Sequence, residues 1–315
     1  NIKKILFVGL GNIGIRHFES ISKSKRKYIC FFIDPDIKKI KNKIVKLNKN
    51  HDLFFSEDFD FDEKSYDFTI ISTNSDIRKD IINILMRKFK IKKYLIEKIP
   101  FNNINDYRTV LNKFSRSNSL CYVNYVRNYM QCYMNIKKEI NQKKLINLEV
   151  FGKKWNLASN SFHYLSLFAY LNNQKEIFIN EHKLSKPIKS KRENFFEITG
   201  YLKFITKRGD TLVLRDQKNN LIDDILIIKN DVNIYNISES KKIIHKLNTK
   251  TFNMKKERFN FLYQSSMTER FLLHDKEKEI YMNKLNFNFK NEIKLLRFFK
   301  TIFQKRVIKN SIPIT

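Results

Sequence analysis

The chain predicts an α/β protein, with an N-terminal doubly wound parallel sheet of the Rossmann type followed by an α+β domain whose sheet is largely antiparallel and open. Three observations carry this. The first 125 residues alternate short β-branched and aromatic runs with longer stretches of helical period, as a parallel sheet with crossover helices requires. Three of the six glycines, Gly9, Gly11 and Gly14, form G-x-G-x-x-G directly after the first of those runs. Beyond about Tyr125 the texture changes to closely spaced strand-like runs flanked by helical ones.

In order, strands are expected at Lys4 to Gly9, Tyr28 to Asp34, Asp67 to Ser72, Lys93 to Glu97 and Ser119 to Asn124. Helical spacing falls between them at Ile13 to Ser22, Ile37 to Leu47, Asp76 to Lys88 and Asn105 to Phe114. The second half predicts a helix near Met130 to Ile140, a strand near Leu145 to Phe151 and a helix around Phe162 to Leu171. Runs at Phe195 to Thr206, Thr211 to Arg215, Leu221 to Lys229 and Val232 to Tyr235, punctuated by Gly209-Asp210 and Asn219-Asn220, predict antiparallel pairs. Helical patterns at Glu257 to Leu273 and Asn291 to Phe303 close the chain. A length of 315 residues exceeds what one core organises, so two domains are expected, 1–124 and 125–315.

The net charge of +30 points by itself to nucleic acid or an anionic surface. The lysines, however, are scattered through every element instead of gathering into a block with stacking aromatics, and the Lys, Ile, Asn and Phe excess fits a compositional bias. No nucleic-acid or membrane partner is therefore expected. Cys30, Cys121 and Cys132 are too few and too irregular for a disulfide framework or a metal site, which fits a reducing cytoplasm. No apolar run reaches the ~18 to 20 residues of a membrane span, and no small-residue cleavage site follows Ile5 to Ile15.

The glycine motif carries chemistry because its members serve separate purposes, namely a tight turn, close backbone approach to a pyrophosphate, and helix-to-strand packing. With Asn12 and Ile13, which open the first helix, they form the expected phosphate cradle. Asp34, ending the second strand, is placed to accept from adenosine ribose hydroxyls and to repel a 2′-phosphate. NAD is therefore expected, and Lys38 and Lys39 nearby leave NADP as the second candidate.

With Gly9 to His17, Ile71-Ser72-Thr73-Asn74, Glu97-Lys98-Ile99-Pro100 and Asn124-Tyr125-Val126-Arg127, the sequence resembles the glucose-fructose oxidoreductase, inositol dehydrogenase and MocA-like oxidoreductases over most of its length. Trp155 to Tyr164 is similar to a branch of that family found among surface-polysaccharide enzymes. The resemblance implies hydride transfer between nicotinamide and a hydroxyl or keto carbon of a sugar, at an active site between the domains. It implies that Ser72, Thr73, Asn74 and Glu97 line the cofactor, that Lys98 hydrogen-bonds the reacting oxygen and that His163 is the general acid/base. Asn160, Trp155 and Arg127 are then candidates for binding substrate, a sugar or nucleotide sugar, with Lys153, Lys154 and Tyr129 beside them. A homo-oligomer is expected by the same analogy.

The sequence departs from the family pattern in four places. Ile99 separates Lys98 from Pro100, Ser159 and Ser166 stand where aspartates flank the family histidine, and Arg78 stands where many members place a histidine. Arg78 is expected either to pair with an acidic ligand group or to be a solvated residue at a helix start. The departures at Ile99, Ser159 and Ser166 keep a second reading open, a dinucleotide-binding protein of this fold without catalysis. A basic nucleic-acid-binding protein is the third.

Overall fold

The structure is a computed structural model describing residues 2–141, 143–174, 176–217, 224–261, 264–273, 284–307 and 311–314. The chain forms two compact units, one of residues 1–126 and 262–286 and one of 127–261 and 287–315. The chain leaves the first unit two residues beyond the expected boundary. It also returns to it, which a single cut at 124/125 does not anticipate.

The first unit is built on β1 (Lys3–Val8), α1 (Asn12–Ser22), β2 (Tyr28–Ile33), α2 (Ile37–Leu47), β3 (Asp52–Ser56), β4 (Ser65–Ile71), α3 (Arg78–Lys88), β5 (Lys90–Ile96), α4 (Ile104–Ser115) and β6 (Leu120–Val123). Its six strands are all parallel, in the order β3-β2-β1-β4-β5-β6. The central strands are near-continuous apolar runs because helices cover both faces. The strand order reverses between β1 and β4, and the crevice at the carboxyl ends there is where such sheets bind ligands.

Strand β3 is additional to the strands expected. Of its five residues, Asp-Leu-Phe-Phe-Ser, four lie half-buried at the sheet edge and Phe54 is exposed, with no alternation. Its pairing is fixed by cross-strand rings, Phe54 stacking on Phe31 at 4.9 Å and Phe55 on Phe32 at 5.2 Å.

The second unit contains α5 (Gln131–Glu139), β7 (Asn147–Lys153), α6 (Leu157–Asn172), β8 (Ile177–Leu184), β9 (Ile188–Lys189), β10 (Phe196–Glu197), β11 (Gly200–Thr206), β12 (Thr211–Gln217), β13 (Ile225–Lys229), β14 (Asn233–Ser238), β15 (Ile243–Asn248) and β16 (Met254–Arg258). Its eight-stranded sheet runs β16-β15-β14-β13-β7-β12-β11-β8, antiparallel except where β7 meets β12. Strands β7, β11 and β13 alternate buried and half-buried residues, so one face is covered and the other stays open. Helix α6, buried on nearly every side, packs against β12 and β10.

Four expectations are corrected here. The runs at Thr211 and Ile225 do not pair, because β7 lies between them; the Asn219-Asn220 turn and the start of the Leu221 run lie outside the described residues. Strands β8, β9, β15 and β16 are additional to those expected, and β16, Met-Lys-Lys-Glu-Arg, is exposed throughout, an edge strand guarded by its own charges.

The helix expected at Glu257 to Leu273 begins at Gln264, with Glu257 and Arg258 closing β16. This helix, α7 (Gln264–Leu273), belongs to the first unit and packs on α1. There the Glu269 amide donates to Ser20 Oγ at 3.0 Å, and Phe271 meets the rings of Phe68 and Tyr122 edge-on. The last helix, α8 (Leu285–Ile302), starts six residues before the expected Asn291.

Candidate functional site

The turn after β1 gives each glycine a separate geometric reason. Gly9 adopts φ +83°, and a Cβ on it would come within 2.9 Å of Thr73. A Cβ on Gly14 would stand 2.1 Å from the Gly9 carbonyl oxygen, so α1 approaches the turn only because that atom is missing. Around Gly11, by contrast, nothing among the described residues lies within 4 Å of the position a Cβ would take. Gly11 is also the residue before α1, and no side chain caps that helix among the described residues. The opening amides of Asn12, Ile13 and Gly14 are thus left for an outside acceptor, at the positive end of the helix dipole.

Asp34, one residue past β2, turns its carboxylate onto this loop, where it accepts from the Leu10 amide at 2.6 Å and from the Asp36 amide at 2.8 Å. Lys38 pairs with Glu57 at 2.8 Å and Lys39 with Asp36 at 2.5 Å. Both lysines are thereby drawn toward carboxylates other than Asp34.

Beside the glycines, the end of β4 brings Ser72 and Thr73 against Gly14 and Gly9. The Ser72 Oγ and Thr73 Oγ1 atoms are buried and have no hydrogen-bond partner among the described residues. Buried hydroxyls without partners are costly, so a ligand that supplies polar atoms fits this place. Asn74 is exposed. Asn102 Oδ1, just past β5, is likewise buried without a partner among the described residues; no sequence signal marks it.

Glu97, at the end of β5, is an internal acid. Its Oε1 lies 2.9 Å from His17 Nε2 and accepts from the Asn124 side-chain Nδ2, while His17 Nδ1 lies 2.8 Å from Thr268 Oγ1 on α7. Burial alone would push this carboxyl up, but the bond and charge of His17, the Asn124 amide and the Arg78 charge outweigh it and hold the carboxyl below its usual range. The side chain of Glu97 is thus held within the protein. Lys98 is half-buried, and the Lys98–Ile99 peptide bond is cis.

Arg78 corrects both alternatives expected for it. It is neither solvated nor aimed at an acidic ligand, but buried, with Nη1 donating to the carbonyls of Glu97, Ile99 and Pro100 and Nη2 to that of Thr73. The turns after β4 and β5 leave these carbonyls without ladder partners, and a fork of five donors satisfies several at once.

In the second unit, His163 lies half-buried in α6. The start of α6 is held by two carboxylates distant in sequence. Asp216 accepts from the amides of Trp155 at 3.3 Å and Leu157 at 3.2 Å, and Glu197 from those of Ala158 at 2.9 Å and Ser159 at 3.3 Å. The loop can wrap Asp216 because Lys154 and Asn156 take positive φ, 52° and 65°. Burial pushes the Asp216 carboxyl up to about 6, against the surrounding amides of Trp155, Lys154, Leu157 and Asn156.

The substrate candidates are largely drawn into the fold. Trp155 is buried, donates its indole N–H to the Arg215 carbonyl at 3.1 Å and meets Tyr164 edge-on. Asn160 donates to the Trp155 carbonyl. Arg127 makes a two-point pair with Glu239, at 2.8 and 2.6 Å, and stacks on Tyr164 at 4.6 Å. Ser166 Oγ accepts from the side-chain Nδ2 groups of Asn128 and Asn288, each at 2.9 Å, and Ser159 Oγ donates to the Asn156 carbonyl at 3.4 Å. Sequence reasoning does not find Asp216, Glu197 and Glu239, whose partners lie 38 to 112 residues away.

No family model matches the chain, and no curated protein sequence matches it. Solved structures do. A dehydrogenase (MviM) from Clostridium difficile superposes with a TM-score of 0.71 at 15% identity, covering 97% of this chain and 100% of its own. An oxidoreductase from Agrobacterium radiobacter, in complex with NAD+, L-tartaric acid and magnesium, gives 0.70 at 10% identity, covering 94% and 95%. A 3-ketoreductase from Actinomadura kijaniata, in complex with TDP-benzene and NADP, gives 0.66 at 10% identity, covering 94% and 95%. The chain therefore has the two-part fold of these oxidoreductases. No helix among the described residues is long and apolar enough to cross a membrane.

Proposed function

We propose that the chain is an NAD(H)-dependent oxidoreductase of the glucose-fructose oxidoreductase, inositol dehydrogenase and MocA-like class, acting on a hydroxyl or keto carbon of a sugar or sugar derivative. The observation that carries this is the cradle at the β1/β4 switch: an open Gly11, uncapped α1 amides, and the buried hydroxyls of Ser72 and Thr73. The fold shared with the solved oxidoreductases, two of them bound to NAD+ or NADP, supports the same reading.

A nicotinamide held there supplies or accepts the hydride. The chain's own part is to bind the diphosphate on the amides of Asn12, Ile13 and Gly14, and the adenosine ribose on Asp34. Lys98 stabilises the developing alkoxide as an ammonium donor, and His163 takes the hydroxyl proton or returns it. The engagement of Lys38 and Lys39 with Glu57 and Asp36 supports NAD over NADP. A sugar or nucleotide sugar of surface-polysaccharide synthesis as substrate rests on the likeness of the Trp155 to Tyr164 segment to that branch.

The test is a titration of the purified protein with NADH and NADPH, read by nicotinamide fluorescence. Micromolar NADH binding is expected, with Asp34→Asn weakening NADH about tenfold, the effect of ~1.4 kcal/mol, and NADPH less. No response to either nucleotide overturns the proposal. The serines at 159 and 166, engaged in fold-internal bonds where the family has aspartates, favour one second reading, a dinucleotide-binding protein without turnover. NADH binding without oxidation or reduction of any sugar or nucleotide sugar would select it.

A further inference from the structure

Lys98 sits in a segment held from one side by a single cation. The Arg78 guanidinium lies under the backbone, its Nη1 within 2.6 Å of the Glu97 carbonyl, 2.5 Å of the Ile99 carbonyl and 2.8 Å of the Pro100 carbonyl. Carbonyls on both sides of Lys98 thus end on one nitrogen. The other terminal nitrogen bonds the Thr73 carbonyl, and Thr73 is the residue that lies against Gly9. One planar group therefore spans the loop after β4 and the loop after β5.

Its position is not one that local preferences favour. Arg78 is the first residue of α3, where the helix dipole opposes a cation, and it is almost wholly removed from water. A buried charge at such a place persists only if its surroundings compensate it. The four carbonyl dipoles do so, and the Glu97 carboxylate, which the Arg78 charge helps to keep ionised, adds to them. A lysine carries the same charge but has no rigid fork to span two loops.

We propose that Arg78 is a positioning residue that couples the nucleotide-side loop at Thr73 to the setting of the Lys98 backbone, so that a dinucleotide bound against residues 72–74 also orders residues 97–101. The assignment rests on the reading of both loops as cofactor-side elements. Arg78 itself contacts neither cofactor nor substrate in this scheme. It acts through the carbonyls it holds.

The experiment is hydrogen exchange of the full chain, wild type and Arg78→Lys, each with and without saturating NADH. Without nucleotide, exchange across 97–101 should rise tenfold or more in Arg78→Lys, while α2 and the strands β11 to β15 keep wild-type protection. With NADH, wild type should gain protection at 9–14, 72–74 and 97–101 together. The variant should gain it at 9–14 but not at 97–101. Rates at 97–101 unchanged by the substitution, or wild-type protection at 9–14 that never reaches 97–101, would overturn the proposal. Should NADH protect nothing in wild type, the nucleotide reading fails, whereas the nucleotide-free comparison still reports on the clamp. If Arg78→Lys does not fold, Arg78→His, which supplies at most two donors, is used with the same expected and overturning results.

Discussion

The segment carrying Lys98 and the segment carrying His163 are held by clamps of opposite sign. Around Lys98 a buried cation, Arg78, gathers carbonyl oxygens at the ends of β4 and β5. Ahead of His163 two buried anions, Asp216 and Glu197, gather amides at the start of α6. The polarity follows from which backbone groups each place leaves unmet. Turns beyond the carboxyl ends of parallel strands expose carbonyls, and a helix start exposes N–H groups. Each unit answers with a charged side chain whose atoms match, and in each case that side chain would be costly to bury alone. The difference teaches where to look for such residues: cations beneath strand ends, carboxylates beneath helix starts.

The largest effect should come from emptying the cation clamp. Arg78→Leu leaves carbonyls of Thr73, Glu97, Ile99 and Pro100 unmet, and urea denaturation should show a loss of about 3 to 5 kcal/mol. A loss under about 1 kcal/mol would mean water satisfies those carbonyls and the clamp is dispensable.

Next is a paired test of the glycine loop that the clamp reaches through Thr73. Gly14→Ala forces a methyl onto the Gly9 carbonyl and should destabilise by about 1 to 3 kcal/mol. Gly11→Ala meets only open space, so its melting temperature should match wild type, whereas its NADH affinity should fall about tenfold or more. Equal affinities for Gly11→Ala and wild type would remove the loop from the binding site.

The smallest effect tests the anion clamp through pH. Asp216 titrates near 6 in the folded protein, above the 3.8 of an unperturbed carboxyl, so the folded state binds the proton more tightly. Stability from this group is therefore fully present below pH ~4 and is lost as pH rises to about 6. Discounted for partial screening by solvent, the decline is on the order of 1 to 2 kcal/mol. Wild type should show it relative to Asp216→Asn in denaturation curves at pH 4, 5 and 6. Parallel curves for the two proteins would place the Asp216 carboxyl at an ordinary value.

Much of the first unit is legible in the sequence because its signals are local. Strand β1, the three glycines and Asp34 fall within one supersecondary unit, and apolar spacing gives α2 from its first residue to its last. Strand β3 escapes because edge strands need little apolar surface, and β16 because its exposed charges leave no pattern to read. Arg78 stands out in the sequence, yet its role does not, since nothing near position 78 announces that carbonyls at 97, 99 and 100 will lie beside it.

What the sequence determined by itself is the alternation of strand and helix, the placing of the glycine turn after the first strand and the acid after the second. These are properties of periodicity and backbone freedom, which a short stretch of chain possesses before it folds. What only the tertiary structure decided is the partnering: β7 between β12 and β13, α7 on α1, Glu97 with His17, and the carboxylates beneath α6. Such choices are made when groups far apart in the chain lose water together, and each buried polar atom then takes the partner that the packing brings within reach.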